Sequence, residues 1–191
     1  MRVTAGQEVK TRTPLGLVGY SGVVDFAHLH LSVRRNGTVV DPFLGANPGS
    51  TCQPENIALA SSLWAPKLRA KLTYTDAIII DANFTSGAVS PKDVESKVIA
   101  TPGPRSPNLV FYVRLINLRK NDSLRLTATG PGGFEAASNV APLDSNKAQF
   151  VAVAGTKLTG ERWAAGRYRG QVAVLRRGKI IVRRKIAFDL P

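Results

Sequence analysis

Leu109-Val110-Phe111-Tyr112-Val113-Arg114-Leu115-Ile116 sets the architecture of the C-terminal part of this chain. Side chains of a strand alternate between its two sides, so Leu109, Phe111, Val113 and Leu115 share one side and Val110, Tyr112, Arg114 and Ile116 the other. With Arg114 as the only charge, the stretch predicts a strand buried largely on both faces. The apolar run ends at Leu118, and Arg119-Lys120-Asn121-Asp122 supplies a polar turn. Leu124, Leu126 and Ala128 then share an inward face, with Arg125 and Thr127 turned out.

The pattern spreads in both directions from there. Ala77 to Phe84 and Ala148 to Val153 are further strand candidates. Tyr168, Val172 and Val174 share a face, Arg176-Arg177-Gly178-Lys179 turns, and Ile180, Val182, Ile186, Phe188 and Leu190 share the returning face, with Arg184 as its exception. Short strands at this spacing predict an immunoglobulin-like β-sandwich over residues 71–191. Upstream, glycines cut the chain into short apolar pieces. Leu15 to Val18 is a strand candidate, Gly19-Tyr20-Ser21-Gly22 a turn, and Phe26 to Arg35 a strand. Asn36-Gly37 is the commonest two-residue hairpin turn, and Thr38-Val39-Val40 returns to Asp41-Pro42. Residues 46–70, with Asn47-Pro48-Gly49-Ser50, read as a linker with one short helical turn at Ala58 to Leu63, capped by Asn56 or Ser61. The expected class is mainly β: a partial antiparallel β domain over 1–45, the linker, then the sandwich.

Composition narrows the partners. The 191 residues are 43% hydrophobic and 20% charged, which suits a folded chain. A net charge of +13 points to anionic partners: nucleic acid, anionic lipid, or bacterial wall polymers bearing carboxylates and phosphates. A solvated basic surface is the plain alternative. The single cysteine, Cys52, excludes an internal disulfide. No span approaches the roughly 20 apolar residues of a membrane helix, and Ile78-Ile79-Ile80 is far shorter. Met1 to Gln7 has no apolar core of a secretory signal, so work outside the cytoplasm would need an export signal not found in this sequence.

His28 and His30 are the only histidines. Two residues apart in a strand, they would face one space, roughly 7 Å apart, while Leu29, Leu31 and Val33 point to the other side. Such a face can hold a metal ligand beside a catalytic imidazole. A catalytic zinc takes three protein ligands, however, and no third histidine exists. Asp25 would face the opposite side of an ideal strand, and Asp41 reads as a turn cap before Pro42. On residue type alone, a structural or exposed pair is the commoner case.

Taken in order, Val3-x-Ala5-Gly6-Gln7-x-Val9, Leu15-Gly16-x-Val18-Gly19-x-Ser21-Gly22 and His28-Leu29-His30-Leu31-x-Val33-Arg34-x-Asn36-Gly37-x-x-Val40-Asp41-Pro42 resemble the C-terminal half of the lysostaphin/LytM-type zinc metallopeptidase domain. The resemblance covers about the first 42 residues. It implies a compact antiparallel β fold, a zinc cofactor, and hydrolysis of peptide cross-links in bacterial cell-wall peptidoglycan, hence a periplasmic or extracellular location. Carried over by position, His30 matches the zinc ligand and His28 the catalytic histidine. The family's other two ligands, from a Gly-x-x-x-His-x-x-x-Asp type motif, match no residue here. The chain is therefore expected to be a truncated catalytic domain, inactive alone, its missing half either cut away or supplied by another chain. The alternative is a non-catalytic cell-wall-binding or regulatory protein built on a degenerate peptidase remnant. Cys52, Leu63-Trp64, Leu72-x-Tyr74 and Ile78 to Phe84 are also similar, less specifically, to the region after the peptidase domain in some proteobacterial members with a C-terminal β-sandwich.

Three features have their own weighing. Cys52 reads as an ordinary loop thiol rather than a reactive one. Trp64 and Trp163 read as packing residues before sugar platforms. Arg167, Arg169, Arg183 and Lys185 fall on outward strand positions and make one sheet face or edge basic. Peptidoglycan or another anionic wall polymer ranks above nucleic acid as its partner, because few aromatics are interleaved for stacking. A plain solvated face, whose charges also block edge-to-edge aggregation, ranks at least equal to both.

Overall fold

The computed structural model describes residues 2–19, 22–23, 27–45, 62–72 and 75–191. These fall into two units, Met1–Tyr74 and Thr75–Pro191, each described by itself. The chain is mainly β, and every sheet is antiparallel.

In the first unit, β1 (Val33–Arg35) and β2 (Thr38–Val40) form a hairpin across Asn36-Gly37. Both turn residues have positive φ, 50° and 79°, as a tight connection of this kind requires. Asp41 then caps a turn: its Oδ1 accepts from the backbone N–H of Phe43 at 2.7 Å and of Leu44 at 3.3 Å. The backbone N–H of Leu63 donates to Pro42 O at 2.8 Å, and the Phe43 and Trp64 rings lie 5.8 Å apart. A single turn of helix, α1 (Pro66–Arg69), starts on a proline whose missing N–H costs nothing there.

The expected strand from Phe26 to Arg35 is regular only over Val33–Arg35. His28 makes one isolated antiparallel bridge to Gly19, and Phe26 lies outside the described residues. Leu15 to Val18 is not a strand either. The physical reason is burial. Leu17 is 83% exposed, Leu29 81% and Leu31 54%, and Val40 alone among the unit's described residues is buried. Alternation extends a ladder only where one face meets an apolar surface, and a lone hairpin is marginal. The expected helical turn at 58–63, its caps Asn56 and Ser61, and Cys52 lie outside the described residues, except Ser62 and Leu63.

The second unit is a sandwich of seven strands. One sheet has the order β3 (Ile78–Thr85), β4 (Asn108–Leu118), β7 (Lys147–Lys157). The other runs β6 (Glu135–Val140), β5 (Asp122–Thr129), β8 (Gly166–Arg176), β9 (Lys179–Leu190). The chain changes sheet between β4 and β5, returns between β6 and β7, and crosses again to β8. The inner faces meet in one core: Leu109, Phe111, Val113 and Leu115 of β4 against Leu124 and Leu126 of β5 and Tyr168, Val172 and Val174 of β8.

Three features fix the packing around the start of β8. Tyr168, fully buried, donates its hydroxyl to Ala164 O at 2.8 Å, the tyrosine corner of such sandwiches. Nearby, Trp163 donates its indole N–H to Ser106 O at 2.8 Å and packs edge-on to Phe134, 5.7 Å away. Its role is packing. Where antibody domains tie β4 and β8 equivalents with a disulfide, the Phe111 ring lies over Gly170. A Cβ at Gly170 would sit 2.5 Å from that ring.

The outer side of β4 is buried as well, with Tyr112 and Arg114 3% and 7% exposed. The β3–β4 connection carries α2 (Pro91–Ser96), begun by a capping box in which Ser90 Oγ accepts from Asp93 N–H and the Asp93 carboxylate accepts from Ser90 N–H. Glu95 of α2 lies 3.4 Å from Arg114. At one end of the sandwich, buried Asp122 accepts a bidentate pair of bonds from Arg176, at 2.7 and 2.9 Å, and Arg176 also reaches Asp76 at 2.8 Å. On the far edge, Arg184, the exception in the inward pattern of β9, extends its guanidinium to Ile79 O and Ile80 O of β3, each at 3.3 Å.

Candidate functional site

Two places on the molecule carry candidate chemistry. At the first, His28 and His30 are both exposed, with His28 placed by its bridge to Gly19. Asp41, the nearest carboxylate downstream, is committed to the turn over Phe43 and Leu44. Asp25 and Cys52 lie outside the described residues. Among the described residues, no three His, Cys, Asp or Glu side chains converge where a metal ion could be held. The pair with its described surroundings therefore does not fit a catalytic zinc, which takes three protein ligands.

The second is the outer face of the β6-β5-β8-β9 sheet. Strand register assembles it from residues far apart in sequence. Arg125, Ala173 and Arg183 form one cross-strand row on β5, β8 and β9. The next row is Thr127, Gln171 and Lys185, and the one after it Thr129, Arg169 and Ala187. Arg125, Arg169, Arg183 and Lys185 are all exposed. Ala173, between the two arginines in this row, is only 4% exposed. A shallow trough follows the second and third of these rows, bordered by Thr127, Thr129, Arg169, Gln171, Lys185 and Ala187.

The face is electrostatically uneven. Arg167 holds Asp189 through two bonds of 2.8 and 2.9 Å. The Asp189 pKa is lowered, first by the bond from Arg167 and, against the opposing effect of burial, by the charges of Arg167 and Arg169. Glu135 is the other acid on this face, at the β6 end of the Thr129 row. On the opposite sheet, burial and then the Asp81 carboxylate push the Tyr112 phenol up to about 12, so it stays a neutral donor to Asp81 at 3.1 Å.

The sequence places Arg167, Arg169, Arg183 and Lys185 outward, and they are outward. It misses that Arg125 joins them. The β8–β9 hairpin is legible in its turn, but the β5–β8 pairing spans some 45 residues with no local signal for its register. No known protein family and no curated protein matches the chain.

Proposed function

We propose that this chain is part of a bacterial cell-wall endopeptidase of the lysostaphin type, pairing the second half of the catalytic domain with a β-sandwich and working in the periplasm or outside the cell. One observation carries the proposal: the glycine turns, His28-Leu29-His30 and Val40-Asp41-Pro42 follow one another in that family's order and spacing. The Asn36-Gly37 hairpin and the turn capped by Asp41 support it locally. His30 would be the zinc ligand and His28 the catalytic histidine of a site whose other two ligands come from a second segment. On this reading the chain alone holds zinc poorly and is inactive.

Metal analysis of the purified chain tests this, with and without an added peptidase half carrying the Gly-x-x-x-His-x-x-x-Asp pattern. Zinc well below one per chain is expected alone, rising toward one with the added half and falling again in His30→Ala. Stoichiometric zinc on the chain alone would refute the incomplete site. No zinc in the mixture would refute the peptidase assignment. The second reading, a wall-binding or regulatory protein without catalysis, is favoured by the exposed cations of the sandwich. It predicts co-sedimentation with peptidoglycan sacculi and no release of peptides from them under any of these conditions.

A further inference from the structure

Five of the sandwich's 18 basic side chains are held in salt bridges. Arg176 is bound to Asp122 and Asp76, Arg119 to Asp76, Arg114 to Glu95, Arg167 to Asp189, and Lys147 to Asp144. Arg125, Arg169, Arg183 and Lys185 make no salt bridge among the described residues, and all four stand on one face. Residues 75–191 hold 18 of the 26 basic residues and nine of the 13 acidic ones, so +9 of the net +13 belongs to this unit.

Protection of a sheet edge does not account for the four. Charges that block edge-to-edge pairing belong on edge strands. Arg183 and Lys185 are on the edge strand β9, but Arg125 and Arg169 are on β5 and β8, each flanked by strands on both sides.

Their spacing selects a ligand. Strands lie about 4.8 Å apart and same-face residues about 7 Å apart along a strand. Arg125 and Arg183 thus stand about 10 Å apart across Ala173, Arg183 and Lys185 about 7 Å apart, and Arg169 is diagonal to Lys185. That is too spread for one small anion and suits a chain of anions separated by neutral spacers. Thr127, Thr129 and Gln171 lie between the cations and can exchange hydrogen bonds with hydroxyl groups. No outward position of this sheet among the described residues is aromatic, so nothing offers a stacking platform for a base or sugar ring. Arginine forks bind phosphate oxygens two at a time.

We propose that the outer face of the β6-β5-β8-β9 sheet binds a single strand of a phosphodiester-linked polyol, with Arg125, Arg169, Arg183 and Lys185 on successive phosphates and Thr127 and Gln171 on the hydroxyls between them. The site does not depend on the peptidase assignment.

The test is fluorescence anisotropy of the full chain with end-labelled poly(glycerol phosphate) across a salt series. Arg169→Gln/Arg183→Gln/Lys185→Gln should weaken binding at least tenfold. It should also flatten the slope of log affinity against log salt by about two, since each lost phosphate contact removes roughly 0.7. Lys120→Gln/Arg162→Gln/Lys179→Gln removes the same charge from exposed positions off this face and should change affinity less than twofold. Both variants should keep the parent melting temperature. Equal loss in the two variants, or no binding by the parent, overturns the site. Equal or tighter binding of a charge-matched single-stranded oligodeoxynucleotide, or of poly-γ-glutamate, overturns the ligand assignment in favour of nucleic acid or a carboxylate polymer.

Discussion

Gly170→Ala is a one-carbon change with a cost that can be worked from two side chains. The new Cβ would lie 2.5 Å from Cδ2 and Cε2 of Phe111 and 3.0 Å from its Cγ. Carbon pairs are comfortable at about 3.5–4.0 Å, so the ring or the strand must move by about 1 Å. Phe111 is fully buried and has Phe84 against it, centroids 5.6 Å apart, so the ring has nowhere to swing. Gly170 has no positive φ, and backbone strain adds nothing. Overpacking of this kind costs about 1–3 kcal/mol, and the fixed ring places it in the upper half of that range. Phe111→Leu alone leaves a void and costs roughly 1–3 kcal/mol. In that background the added methyl fills space, so Gly170→Ala should cost under about 0.5 kcal/mol. The double-mutant cycle should then give a coupling above about 1 kcal/mol, where distant sites add to within about 0.5. Urea unfolding of the full chain, followed by far-ultraviolet circular dichroism, measures all four variants. Additive costs would refute the claim that Phe111 on Gly170 is the lock between β4 and β8.

Three other outcomes are expected. Tyr168→Phe removes only the hydroxyl that donates to Ala164 O, and should cost about 1 kcal/mol in the same unfolding assay. A neutral result would show that the corner is held by ring packing alone. Asp122 is subject to a burial effect that raises its pKa. The bond from Arg176, the backbone N–H of Arg119 and the charges of both arginines outweigh it, so its folded pKa lies below the unfolded value of about 3.9. Its stabilisation is whole above pH about 4 and is lost as pH falls through the folded pKa. Thermal melts from pH 5 downward should fall less steeply for Asp122→Asn, and parallel slopes would contradict the pairing. Tyr112 has the opposite sign. With its folded pKa at about 12, above the unfolded value of about 10, its stabilisation is whole below pH 10 and is lost as pH rises toward 12. An absorbance titration near 295 nm should show late phenols, Tyr168 being raised by burial as well, and Tyr112→Phe should lose one of them.

The parts of the fold legible in the sequence are those fixed by local chemistry. Asn36-Gly37 announces the β1–β2 hairpin, and the alternation from Leu109 to Ile116 announces a strand buried on both sides. The covering element was missed. Ser90-Pro91-Lys92-Asp93 is a readable capping signal, but α2 has only six residues and no apolar period. β6 was missed because Glu135-Ala136-Ala137-Ser138-Asn139 has little strand propensity, and pairing with β5 overrides it. Around His28 the alternating pattern overstated order. Leu29 and Leu31 have no apolar surface to meet among the described residues, so the pattern alone does not lengthen the ladder. Of the basic face, four outward positions were legible one strand at a time. Their assembly with Arg125 into rows depended on a β5–β8 register that only the folded sheet supplies.

Arg184 has a consequence for assembly. β3 is an edge strand whose ladder slips between Ile79 and Asp81, leaving Ile80 45% exposed and carbonyls turned outward. Such an edge invites a strand from a neighbouring molecule. The Arg184 guanidinium occupies the carbonyls of Ile79 and Ile80, so an incoming strand finds those acceptors already taken. Copies of this basic chain brought close together can therefore lie side by side without their sheets fusing at this edge into a continuous β-ribbon.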